Sequence, residues 1–88
     1  MPKNDALKCR VCGWTHASPP WGENGSSPTF EICSCCGTEF GYEDANADAI
    51  KSARQRWIDS GGKWFSPAMR PSGWSLEEQL ESIPAVYK

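Results

Sequence analysis

The stretch EICSCCGTEFGYED, residues 31–44, crowds three cysteines into four positions, and deciding which of them share a ligand decides the fold. Cys33 and Cys36 form a C-x-x-C-G unit, and the same unit occurs upstream as Cys9 and Cys12 in CRVCG. Two thiolates on one tetrahedral ion approach to about 3.8 Å, because Zn–S is about 2.3 Å, and a tight turn over two intervening residues brings them there. The glycines that follow, Gly13 and Gly37, can take positive φ and turn backbone N–H groups toward the sulfurs. Cys35 does not fit this geometry. One residue separates it from Cys33, and Cα atoms at that spacing in extended chain lie roughly 7 Å apart; it also points away from its neighbour Cys36. The predicted ligands are therefore Cys9, Cys12, Cys33 and Cys36, with zinc as the metal and iron as the alternative. Cys35 is expected as a packed bystander, and His16 is not required because four thiolates complete the tetrahedron. Such a closed site has no open position for water or substrate, so its metal is structural.

Size makes such a staple necessary. The chain has 88 residues, including 8 Gly and 7 Pro, and chains below about 80 residues bury a core worth only a few kcal/mol beyond chain entropy. A single domain over residues 1–88 is expected. Bound structural zinc supplies folding free energy on the order of 10 kcal/mol. Five cysteines cannot pair completely as disulfides. The polar start MPKNDALK lacks the apolar run of a signal peptide, which predicts a cytosolic protein with reduced thiols. A net charge of −2 and a pI near 5.3 give no broad basic field, which makes nucleic acid or an anionic membrane a poor partner.

Outside the cysteines the chain divides near residue 44. In residues 9–44, a central ASPPWGENGSSP is dense in turn formers. Its β-branched and aromatic flanks predict short strands entering and leaving two metal knuckles. Residues 45–88 read as helical and packed on that region. Ile50, Ala53, Trp57 and Ile58 recur at helical spacing, Asp44 or Asn46 can cap the start, and Gly61 and Gly62 can end the helix. Lys51, Arg54 and Arg56 are assigned to its solvent side. Ser75 and Glu78 form a capping-box pattern for a second short helix that Pro84 stops. The fold class is thus small α+β, a metal-stapled, zinc-ribbon-like β region followed by two short helices.

The run FEICSCCGTEFGYED, with CRVCGW before it and RQRWIDSGGKW and GWSLEEQL after it, resembles the bacterial cysteine-rich CPCC family over most of the chain. Ser34 replaces the family's usual proline without moving a thiol. The resemblance implies a small metal-binding protein and, since some members are thought to sit beside toxin genes, a toxin-immunity role. The knuckles are also similar to those of rubredoxin, with Trp14 in the tyrosine position; this implies iron electron transfer as the alternative.

Aromatic residues are abundant, with 5 Trp and 3 Phe. Trp57 belongs to the core, Trp14 is placed to shield the metal, and Trp64 and Trp74 can close the core against the helices. Trp21, in PPWGENG, stands at a loop tip where it either anchors a partner or folds back onto the metal region. Paired carboxylates, an activated nucleophile and a phosphate-cradling loop are absent from the sequence, so a non-enzymatic protein is expected. The reading is a zinc-binding protein-interaction module that presents a loop and an acidic strip, Glu39, Glu43, Asp44 and Asp48, to a protein partner such as a toxin.

Overall fold

Two helices organise the second half of the chain in the computed structural model, which describes residues 6–88. Helix α1, Ala47–Asp59, begins at Asn46, whose extended backbone lets its side chain accept from Ala49 N at 2.8 Å. Asp44, the other expected cap, is engaged elsewhere. The apolar stripe of α1 buries Ile50, Ala53 and Trp57, and positive φ at Gly61 and Gly62 turns the chain away, with Gly62 N donating to Trp57 O. Helix α2, Leu76–Glu81, starts at Ser75, whose hydroxyl accepts from Glu78 N at 3.1 Å. Short 3-10 turns cover Pro67–Met69 and Ala85–Tyr87.

The expected strands do not form. Among the described residues, sheet-like pairing is confined to two isolated antiparallel bridges, Lys8 with Thr15 and Ile32 with Glu39. Each bridge closes the mouth of one cysteine turn, and each flank is consumed by its own short loop. One further hydrogen bond follows in each, His16 N to Leu7 O and Phe40 N to Glu31 O. Extension beyond the second bridge is stopped by positive φ at Phe30 on one side and Gly41 on the other. The first half is therefore a pair of knuckles joined by turns, not a zinc-ribbon-like β region.

Both halves contribute to one core. Cys9, Val11, Cys12, Cys33, Cys35 and Phe40 meet Ile50, Ala53, Trp57 and Trp64. Trp64 lies edge-on to Trp14 and Trp74, with centroids 4.8 and 5.5 Å away, and Trp74 leans on Trp57 at 6.2 Å. Phe65 and Met69 remain exposed beside them. Among the described residues no helix is long and apolar enough to cross a membrane.

The loop tip takes the second of its two expected courses. Trp21 folds back, half-buried, and its indole Nε1 donates to Asp44 Oδ2 at 2.8 Å. The Arg10 guanidinium lies over its ring at 4.0 Å. Asp44 is fully buried and also accepts from Gly41 N at 2.7 Å, so it leaves the acidic strip and pins the loop to the start of α1. Of the other strip residues, Asp48 is exposed, while Glu39 and Glu43 are half-buried.

Candidate metal centre

The two C-x-x-C-G turns repeat one another residue by residue. In the first, Cys9 N donates to Trp14 O and Gly13 N to Cys9 O; in the second, Cys33 N donates to Thr38 O and Gly37 N to Cys33 O, all at 2.9 Å. The glycines have φ of +81° and +79°. At Gly13 a side chain is excluded twice, because a Cβ there would stand 2.6 Å from Ile83 N.

These turns aim four sulfurs at one point. Cys9, Cys12, Cys33 and Cys36 have all Sγ atoms within 4.8 Å of one another. The Cys9–Cys36 and Cys12–Cys33 separations are both 3.7 Å, close to the roughly 3.8 Å edge of a zinc–thiolate tetrahedron. The cluster can hold a metal ion. Cys35 is fully buried but outside the cluster.

Burial shapes the protonation of the metal-free cluster. It pushes the Cys9 and Cys12 thiols well above their ordinary range, whereas hydrogen bonds from Cys12, Cys36 and Cys9 hold Cys33 far below it as the thiolate. Hydrogen-bond donors also reach the sulfurs. Val11 N lies 3.4 Å from Cys9 Sγ, and Thr38 Oγ1 lies 3.0 Å from Cys36 Sγ. The His16 ring sits edge-on to Phe40 at 5.1 Å and adds to the stabilisation of the Cys33 thiolate. Its Nε2 is buried and has no hydrogen-bond partner among the described residues. Cys36 alone among the four clustered cysteines is half-buried, and a cleft of about 390 Å³ lined by Cys36, Thr38, Arg56 and Trp57 opens onto it.

The helical half clamps both turns through their carbonyls. Arg54 Nε donates to Val11 O at 2.8 Å, and its Nη2 donates to Arg10 O at 3.0 Å and Tyr87 O at 2.6 Å. Gln79 Nε2 donates to Cys12 O at 2.9 Å while its Oε1 accepts from Trp74 Nε1. On the second knuckle, Phe65 N and Ser66 N donate to Cys35 O and Ser34 O. Arg54 is thus half-buried at the site rather than on the solvent side. Burial lowers its pKa. The signal for it was present: Arg54 stands four residues after Ile50 and three before Trp57, inside the apolar stripe. Gln79 carried no comparable mark.

Two uncharacterised proteins of Bacillus subtilis (strain 168) are similar to this chain. YozI is 32% identical over 83 residues, covering 76% of this chain and 67% of the relative. YoaQ is 29% identical over 68 residues, covering 60% of this chain and 58% of the relative. The chain thus spans about two thirds of one relative's length and less of the other's. No family model and no solved structure matches it.

Proposed function

We propose that this chain, which belongs to the family of the Bacillus subtilis protein YozI, is a non-enzymatic zinc-binding scaffold that acts through contact with another protein. The observation that carries the reading is the sulfur geometry: two 3.7 Å edges between two equivalent turns. An all-thiolate donor set suits zinc or iron among the common metals. Zinc held by four thiolates has no position left for substrate, which supports a structural rather than catalytic role. With the ion in place, Cys9, Cys12, Cys33 and Cys36 would be its ligands, and Thr38 and the Val11 N–H would offset their negative charge. The resemblance to the CPCC family makes a toxin the partner class we put forward, with the cytosol as the compartment.

The alternative, an iron electron carrier, draws on the half-buried Cys36 sulfur, which gives an electron a short route to the surface. Metal analysis of protein from cells supplied with both zinc and iron separates the two. One zinc per chain and no visible absorption is expected; a red protein with a reversible one-electron couple would refute the scaffold reading. Chelation should abolish the near-UV circular dichroism, and an unchanged spectrum would sink the idea that metal staples the fold.

A further inference from the structure

Phe30 is the single non-glycine residue with positive φ among the described residues, at +62°. Non-glycine residues pay a steric penalty there, and this one recovers little through burial, for 60% of it is exposed. Its ring instead lies over Gly41, where a Cβ would come within 2.8 Å of Phe30 Cε1 and 2.6 Å of Pro28 Cβ. Gly41 therefore leaves room for an aromatic ring that is displayed rather than buried. Tyr42, next in sequence, is 75% exposed, and Ile32, two residues from Phe30, is 47% exposed. Every tryptophan in this chain is at least half-buried, so the display of these three side chains is not a shortage of core.

The rim of this patch is acidic. Glu31 is exposed between Phe30 and Ile32, Glu39 lies across the bridge from Ile32, and Glu43 Oε1 accepts from Glu39 N at 2.9 Å. From Ala17 to Ile50 the chain carries Glu23, Glu31, Glu39, Glu43 and Asp48 besides the buried Asp44, and neither lysine nor arginine. Arg56 reaches in from α1 to Glu43 at 3.6 Å. A second copy docked on this face would set like charges against each other, and phosphate-rich surfaces are repelled in the same way. The complementary occupant is a protein surface with an apolar pocket flanked by lysine or arginine.

We propose that Phe30, Ile32 and Tyr42, ringed by Glu31 and Glu39, form the contact face for a basic protein; this rests on the scaffold reading above and assigns its surface. The test pans the zinc-loaded full chain against a phage library of random dodecapeptides and measures enriched peptides by titration. Peptides pairing an apolar anchor with lysine or arginine are expected. Phe30→Gly, which removes the ring and relieves the positive φ, and Tyr42→Ser should each weaken binding by about tenfold or more. Val86→Ser, at a position 81% exposed outside this patch, should leave it unchanged. The proposal is overturned if no peptide is enriched, if enriched peptides lack basic residues, or if their affinity survives Phe30→Gly. Zinc content of the same preparations separates the two failures: without bound zinc the scaffold reading falls, whereas intact zinc with binding lost or mapped elsewhere removes this face alone.

Discussion

Replacing Arg54 with methionine keeps an unbranched apolar stem on α1 and deletes three hydrogen bonds, to Arg10 O, Val11 O and Tyr87 O. Hydrogen bonds from a charged donor contribute about 1.5–3 kcal/mol each when buried. The site is half-buried, and solvent screening reduces each to about 1 kcal/mol, for a total loss of about 3 kcal/mol. Because metal binding and folding form one coupled equilibrium, the same loss should appear as roughly 100-fold weaker metal retention. Urea unfolding of the zinc-loaded protein measures the first quantity, and competition with a chromogenic chelator measures the second. Arg54→Lys should fall between wild type and Arg54→Met, since a single ammonium cannot reach three carbonyls with the fork geometry of a guanidinium. If Arg54→Met unfolds within about 0.5 kcal/mol of wild type, the usual range for surface substitutions, the clamp contributes nothing and the reasoning fails.

Three other outcomes are expected. Cys35→Ala should cost about 1–2 kcal/mol for its small cavity yet keep one metal per chain, whereas Cys33→Ser or Cys36→Ser should lose the metal and the fold; metal loss from Cys35→Ala would show that the ligand set is wrong. Burial holds Cys9 and Cys12 above the ordinary value of 9.0, so both thiols are protonated near neutrality when no metal is bound. Metal must displace at least these two protons, so affinity should rise by about 100-fold or more per pH unit near neutrality; a chelator competition that is flat between about pH 6.5 and about pH 7.5 would contradict this. Gly13→Ala should destabilise by about 3 kcal/mol or more, from positive φ and contact with the Ser82–Ile83 backbone; a melting temperature equal to wild type would refute it.

The grouping of the four cysteines was more legible than the scaffold around it. Spacing alone separates Cys33 and Cys36 from Cys35, because the turn geometry that brings two thiolates to one ion is local. The helices were legible for the same reason: the stripe on α1 and the caps at Asn46 and Ser75 are settled by near neighbours in sequence. The strands were not, since β-branched and aromatic composition says nothing about whether a ladder finds a partner, and here each flank closes on its own loop. Trp21 and Asp44 show the limit most clearly. A tryptophan in a Pro- and Gly-rich loop is open to display or to folding back, and an acid before a helix looks solvated, until the fold sets the two 2.8 Å apart. For Arg54, charge points to solvent, but its position in the stripe between Ile50 and Trp57 decides which way it faces.

The clamp on the first knuckle has a consequence for the order in which the protein assembles. Gln79 bonds Cys12 O across a separation of 67 residues, and Ser82 and Ile83 press on Gly13. During synthesis, Cys9, Cys12, Cys33 and Cys36 all emerge well before the residues that cover the first turn. The thiols can therefore gather an ion while one side of their site is still bare, and the later arrival of Gln79 closes over a turn that is already set. Contacts this distant in sequence are slow to form unaided. A metal that fixes the knuckle early shortens the search, so a bound ion would govern how fast this chain folds as well as how firmly it stays folded.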